Sequence, residues 1–283
     1  MVGMFAARVS NSYMPNCREL LCHIQIERIA GRGQDFVQAR TVMADAVVAQ
    51  MLPDGAVKGG SALKLRFGDE GTRFSEDLDT ARASHIEEYI GALGDALEAG
   101  WQGFTGAVVR REPATPAGIP ASYVMQPYDV KLSYLGKSWV TVQLEVGHNE
   151  IGDADEPDMV VPQDAASLFE ALGFDPPSAI PVMRLSHQIS QKLHGLSEED
   201  SKRAHDLVDL QLIFQKGDVD LAETRSVCER LFAYRDQQRW PPVVEVGANW
   251  ESLYAEAADG LEVIQDVAEA IEWVNRIIKA ITE

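Results

Sequence analysis

Lys58-Gly59-Gly60-Ser61-Ala62-Leu63, followed by Arg73-Phe74-Ser75-Glu76-Asp77-Leu78-Asp79, is the stretch on which the reading of this chain turns. Ala56-Val57, leaving the turn Pro53-Asp54-Gly55, is a short apolar strand that runs into the two glycines. Ser61 to Phe67 reads as a helix starting there, and Leu78 marks a second short strand. Gly59 and Gly60 let the backbone approach a phosphate closely. The helix start supplies free N–H groups and a positive dipole end, and Ser61 could add a hydroxyl. By itself this is also what an ordinary helix N-terminus looks like. Asp77-Leu78-Asp79 changes the balance. On a strand, residues i and i+2 share a face, so both carboxylates project together while Leu78 points to the core. Two carboxylates on one face repel unless a cation lies between them, and oxygen-only ligands suit Mg²⁺. Such ions form the clamp of phosphoryl transfer. Ser75 shares that face, so its hydroxyl should point into the same site. An exposed polar strand edge is the plain alternative for an isolated Asp-x-Asp. Here the pair follows Gly-Gly-Ser by only sixteen residues, room for one helix and a turn.

A third carboxylate is expected on a neighbouring strand. In Val140-Thr141-Val142-Gln143-Leu144-Glu145-Val146 the apolar residues face one way and Thr141, Gln143 and Glu145 the other. Glu145 is the first candidate and Asp129 the second. A solvent-facing strand residue is the alternative reading of Glu145.

Outward from this centre, Cys17–Ile29 and Phe36–Met51 have the apolar spacing of amphipathic helices. Ser84 is the expected N-cap of a helix His85–Trp101. Strands are expected over Gly106–Arg111, Ser122–Leu135 and Ser138–Gly147, with a hairpin at Leu135-Gly136-Lys137 and an acidic loop from Asp153 to Asp158. Helices follow over Val182–Leu196, Glu198–Phe214, Leu221–Gln237 and Trp250–Ile281, the last broken at Gly260. The pattern predicts an α/β (α+β) domain over residues 1–180 and a helical domain over 181–283, divided near Asp175-Pro176-Pro177.

The 283 residues are 46% hydrophobic, which excludes disorder as the default state. No apolar run approaches the ~20 residues of a membrane span, and residues 1–10 lack a signal-peptide block. Three cysteines without metal spacing fit a reduced, cytoplasmic chain. The net charge is −19, which argues against a nucleic-acid grip over the whole surface. The acid is uneven: Pro241–Glu283 holds nine acids against two bases, whereas Asp54–Arg82 holds six against five. A local basic pocket is therefore compatible with the total. The acidic tail reads as a solvated helical face, or as a docking surface for a basic partner. No Cys/His cluster, Ser-His-Asp pattern, P-loop or Rossmann fingerprint is present.

The two quoted segments resemble the first motif of the AbiEii/AbiGii-type nucleotidyltransferases. These are toxins of toxin–antitoxin and phage-defence systems, the MenT group among them, with a polymerase-β-like nucleotidyltransferase fold. Leu144-Glu145-Val146 matches the family's acidic strand motif. Gln191-Lys192-Leu193-His194 matches its helical lysine, and Arg203-Ala204-His205-Asp206-Leu207-Val208-Asp209-Leu210 its aspartate pair. The resemblance spans about residues 56–215 in family order. It implies metal binding by Asp77, Asp79 and Glu145, with catalytic parts for Asp77, Asp79, Lys192, Asp206 and Asp209. It implies nucleotide contacts by Lys58, Gly59, Gly60, Ser61, Arg73 and Ser75. The implied cofactor is Mg²⁺ or Mn²⁺ and the implied donor is a nucleoside triphosphate (NTP). The implied acceptor is the 3′ end of tRNA or another RNA, whose modification blocks translation, and the implied protein partner is a cognate antitoxin. Asp206 and Asp209, three residues apart, share a helix face. Lys192, on the preceding helix, can reach an active-site carboxylate or a nucleotide phosphate, or make a purely structural ion pair. Lys58, Lys64, Arg66, Arg73, Arg184, Lys192, Lys202 and Arg203 are the bases expected to grip RNA. Two rival readings share the fold: transfer to a small cationic molecule, as in antibiotic nucleotidyltransferases, and a non-catalytic interaction protein.

Overall fold

A computed structural model describes residues 34–68, 71–73, 75, 77–113 and 125–283. The expected helix Cys17–Ile29 and the first part of Ser122–Leu135 lie outside these residues. Strand β1 (Ala56–Lys58) leaves the Pro53-Asp54-Gly55 turn and passes without a break into helix α2 (Gly59–Phe67). Gly55 has φ +83°, and a Cβ there would run into the carbonyl of Ala81 on the next strand. β2 (Asp77–Arg82) returns antiparallel to β1 and sets Asp79 opposite Lys58. Helix α3 (Ile86–Ala99) starts after His85, one residue beyond the expected Ser84 cap.

β3 (Phe104–Arg110), β4 (Gln126–Tyr134) and β5 (Lys137–His148) form an antiparallel meander. Leu135 and Gly136 turn the β4–β5 hairpin with φ +48° and +77°. Positive φ at both central residues matches the right-handed twist of the flanking strands. β5 runs parallel to β2, which sets Glu145 beside Asp79 and Gln143 beside Asp77. The stretch read as an acidic loop ends in a strand, β6 (Asp158–Val160). Helix α4 (Gln163–Ala171) and β7 (Ile180–Val182) follow. β7 lies parallel to β1, so Val182, expected to open a helix, belongs to the sheet. The sheet order is β3-β4-β5-β2-β1-β7-β6.

Val57, Leu78, Val130, Leu144 and Val182 are buried in one core with Val47 and Val48 of α1 (Gln34–Ala49), Leu93 and Leu97 of α3, and Phe169 of α4. A second core forms among α5 (Leu185–Leu196), α6 (His205–Lys216), α7 (Leu221–Arg235), α8 (Trp250–Ala258) and α9 (Val267–Thr282). It holds Ile189, Leu207, Phe232, Trp250 and Val274, and it also takes Leu63 of α2. Helix α2 is thus wedged between the two cores, with Ala62 and Leu65 in the first and Leu63 in the second. Helix α6 begins at His205, seven residues later than the expected Glu198. The intervening turn is held instead by Ser201, whose hydroxyl donates to Gly195 O at 2.6 Å and whose carbonyl accepts from Trp250 Nε1 at 2.6 Å. In α9, Ala270, Val274, Ile278 and Ile281 are buried and Glu269 and Glu272 face solvent, so this part of the acidic tail is a solvated helical face. Among the described residues no helix is long and apolar enough to cross a membrane.

Candidate functional site

The register of three strands builds the site. Asp77 and Asp79 project from the same face of β2, and Leu78 between them is fully buried. Asp79 sits in a row with Glu145 on one side and Lys58 on the other. Asp77 sits in the next row beside Gln143, which in turn neighbours Asp129. Asp129 is therefore two strands from Asp77, and its carboxylate lies 3.6 Å from Arg111. Of the two candidates for a third carboxylate, Glu145 is the one directly beside the pair.

The glycines permit this closeness. Gly59 has φ +65°, and a Cβ there would collide with the Asp79 carboxylate. A Cβ on Gly60 would sit 3.0 Å from the Ser75 side chain and 3.1 Å from Arg73 Nη2. Helix α2 has no side-chain cap and no acid in its first turn, so its leading amides are left for an anion. The Ser61 hydroxyl points elsewhere: the side chain is buried and donates to Asp77 O. Lys64 Nζ donates to Ser75 O at 2.9 Å. Both bonds tie α2 to the strand that carries the aspartates. The Ser75 hydroxyl reaches Asp77 O at 3.4 Å.

Burial pushes the Asp79 carboxyl above its ordinary value; Lys58 opposes the shift and Asp77 adds to it. Burial also raises Glu145, and the charges of Asp79 and Asp77 raise it further. Asp79 and Glu145, two neighbouring carboxylates that resist ionising together, fit a hard divalent cation. Among the described residues no three Asp, Glu, His or Cys side chains converge as a ready-made metal cage. Mg²⁺ sites ordinarily use one or two protein carboxylates and complete the shell with water and substrate phosphates, so the donor set here suits that ion.

Behind the strands lies a buried ion network. Lys192 Nζ donates to Asp206 Oδ1 at 2.8 Å and to Asp209 Oδ2 at 2.6 Å. Arg73 grips Asp209 through Nε and Nη2 at 2.9 and 3.1 Å. Arg203 Nε holds Asp206 at 2.6 Å. Burial would raise both aspartates, but Arg203 and Lys192 hold Asp206 well below the carboxylate range, and Lys192 and Arg73 hold Asp209 below it. The helix face shared by Asp206 and Asp209 thus closes on Lys192, and Arg73 links it to the segment leading into β2. The positive charges of Lys192 and Arg203 are felt at Asp79.

A cleft of about 970 Å³ opens above the carboxylates, with Lys58, Gly59, Asp79, Glu145, Arg203 and Arg235 among its walls. Arg235 is held by Glu150 through two hydrogen bonds of 3.1 and 2.8 Å. Sequence reasoning missed Arg235, at the end of α7, and the loop residues Glu150, Gln237 and Gln238, because no local pattern separates an ordinary surface polar residue from a cleft residue. Three expected bases lie elsewhere. Lys64 is buried beneath β2, Arg66 pairs with Asp158 at 2.7 Å, and Arg184 pairs with Glu156 and Glu223. Arg66 and Arg184 line a separate cavity of about 500 Å³ at the far end of α2. His194 is buried against Phe232, and its Nδ1 lies 3.4 Å from Glu198, a packing and polar role.

Solved structures similar to this chain are nucleotidyltransferases among others. The nucleotidyltransferase toxin MenT4 from Mycobacterium tuberculosis is 18% identical with a TM-score of 0.49, over 92% of this chain and 97% of that one. JHP933 from Helicobacter pylori is 17% identical with a TM-score of 0.46, over 88% and 92%. An antigenic nucleotidyltransferase-like protein from Paracoccidioides brasiliensis is 18% identical with a TM-score of 0.40, over 69% and 89%. No curated protein sequence matches the chain. The family model "Nucleotidyl transferase AbiEii toxin, Type IV TA system" matches residues 41–274, most of the chain and every motif described above. The chain belongs to the AbiEii family of nucleotidyltransferase toxins.

Proposed function

We propose that this toxin transfers a nucleoside monophosphate from an NTP to the 3′ end of an RNA, most simply tRNA, and so blocks translation in the cytoplasm. The observation that carries the chemistry is the row Glu145–Asp79–Lys58 with Asp77 on the same face, at the mouth of a cleft against the start of α2. In this reading Asp77, Asp79 and Glu145 hold Mg²⁺ or Mn²⁺, which supplies charge neutralisation at the transferring phosphoryl group. In this reading the sheet through β7, with the helices packed on it, is the nucleotidyltransferase unit, and the helices from α5 onward are a helical unit contributing Lys192, Asp206 and Asp209.

The amides of Gly59 and Gly60 cradle the outer phosphates, helped by Lys58. Arg73 and Lys192 act through the aspartate network, fixing the helices against the cleft and adding positive potential at Asp79. Ser61 positions Asp77, and Ser75 lies beside it. The acceptor hydroxyl attacks the α-phosphate in line and pyrophosphate leaves. Lys58, Lys202 and Arg203 offer a local, salt-sensitive grip on an RNA backbone despite the net charge of −19. The family implies a cognate antitoxin that restrains the enzyme.

A second reading, transfer to a small cationic acceptor, is favoured by Glu150, Glu198 and Glu199 on the cleft wall. Incubation with each labelled NTP and total RNA, beside an aminoglycoside panel, separates the two. Mass spectrometry of the RNA ends should show added nucleotides. Label on the drug alone would replace the RNA reading.

A further inference from the structure

Among the described residues two arginines line the cleft, and their nitrogens are committed differently. Arg235 directs Nε and Nη2 to Glu150 and Nη1 to His194, so its whole fork is engaged. Arg203 commits only Nε, which donates to Asp206 at 2.6 Å. Its terminal Nη1 and Nη2 make no hydrogen bond among the described residues, and the side chain is 47% exposed. Glu198 and Asp79 also attract its charge, but neither forms an ion pair with it among the described residues.

The turn between α5 and α6 fixes that arginine from three sides. Arg203 N donates to Ser201 Oγ at 3.2 Å, and the same hydroxyl donates to Gly195 O at 2.6 Å. Asp206, which takes Nε, is itself held by Lys192 at 2.8 Å. The third side is Gly195, in the last turn of α5. A Cβ there would lie 2.6 Å from Arg203 Nε, 2.8 Å from its Cδ and 3.1 Å from its Cζ. The guanidinium therefore lies against bare helix backbone, in space that a side chain at position 195 would fill. Glycine inside a helix is less stable than alanine, so local helix propensity does not explain this residue.

We infer that Arg203 clamps the triphosphate of the donor nucleotide from the helical side of the cleft, and that Gly195 is the positioning residue that makes this possible. Opposite it lie Lys58, Gly59 and the uncapped start of α2. A planar, permanently charged fork that is already held by its Nε loses little freedom when its ends meet phosphate oxygens. This narrows Arg203 from a general phosphate grip to one on the donor. The inference rests on the reading of the cleft as the NTP site but needs no RNA acceptor.

The test is calorimetric titration of the full chain with inorganic tripolyphosphate and with each of the four NTPs, in Mg²⁺ and without RNA, beside thermal melts. Arg203→Gln should weaken binding of tripolyphosphate and of every NTP that wild type binds by at least about tenfold, the scale of one hydrogen bond to a charged group. Gly195→Ala keeps the charge and favours the helix, so its melting temperature should not fall; it should still weaken binding at least about threefold by pushing the guanidinium aside. Because Gly195 acts through Arg203, the double variant should bind no more weakly than Arg203→Gln alone. Wild-type affinity in Arg203→Gln overturns the clamp and leaves the NTP site standing. Wild-type affinity in Gly195→Ala, or losses that add in the double variant, overturns the positioning role. Should Arg203→Gln not fold, Gly195→Ala decides alone, and wild-type affinity there overturns the inference. A wild type that binds neither tripolyphosphate nor any NTP overturns the reading of the cleft and the inference with it.

Discussion

Replacing Lys192 by methionine removes one charge from between two buried aspartates and keeps most of the side-chain volume. Its ammonium lies 2.8 Å from Asp206 and 2.6 Å from Asp209, and all three side chains are almost wholly buried. Breaking a buried ion pair by removing one partner costs about 3–5 kcal/mol, because the other charge stays behind unpaired. Here neither aspartate is abandoned: Arg203 still holds Asp206, and Arg73 still holds Asp209. The expected loss therefore sits at the low end, about 3 kcal/mol. For a chain of this size that is a melting temperature lower by about 6–12 °C. The pH dependence has a definite sign. Both aspartates titrate below the ordinary carboxylate range in the folded protein. Their contribution is complete above that range and is lost as pH falls through the depressed values. The gap between wild type and Lys192→Met should thus hold across neutral pH and shrink below about pH 4. Thermal melts by circular dichroism measure it. Lys192→Met with Asp209→Asn, which removes one charge of each sign, should recover part of the loss. A single variant melting within about 1 °C of wild type would refute the claim that this network fixes α5 against α6.

Other outcomes follow from the same geometry. Gly59→Ala places a Cβ against the Asp79 carboxylate at φ +65°, so it should cost about 1–3 kcal/mol and depress transfer; wild-type melting and activity would contradict the glycine argument. Mg²⁺ at about ten times its dissociation constant should raise the melting temperature by about 4 °C, reversibly with chelator. Asp77→Asn and Glu145→Gln should each lose that shift, and an equal shift in all three proteins would remove the metal assignment. Expression without an antitoxin should arrest growth and Asp77→Ala should relieve it; unimpaired growth with folded, abundant wild type speaks against toxicity.

Much of the centre was legible in sequence because its signals are local. The Gly59-Gly60 turn and the Asp77–Asp79 alternation each need only backbone geometry, and the clean period of Val140–Val146 fixes which way Glu145 faces. The choice between Glu145 and Asp129 was not local. It depends on β5 pairing with β2, a register that no single strand encodes. β6, α4 and β7 escaped because two are three-residue strands held by their neighbours, and the Pro176-Pro177 pair reads as a boundary while the chain re-enters the sheet just beyond it. The start of α6 was misplaced because Ser201 and Trp250, 49 residues apart, stabilise a turn that helix propensity does not foresee. Lys64, Arg66 and Arg184 were assigned to the site by charge alone, and charge says nothing about which end of α2 a side chain occupies.

The most direct test of the account is end-labelling of total RNA by wild type, Asp77→Asn and Asp79→Asn with each α-labelled NTP, with and without Mg²⁺, on proteins shown to be folded. The account predicts metal-dependent label at RNA 3′ ends and release of pyrophosphate by wild type. It predicts a loss of at least about a hundredfold in each aspartate variant. Transfer that persists in both variants, or that proceeds equally in chelator, would contradict it.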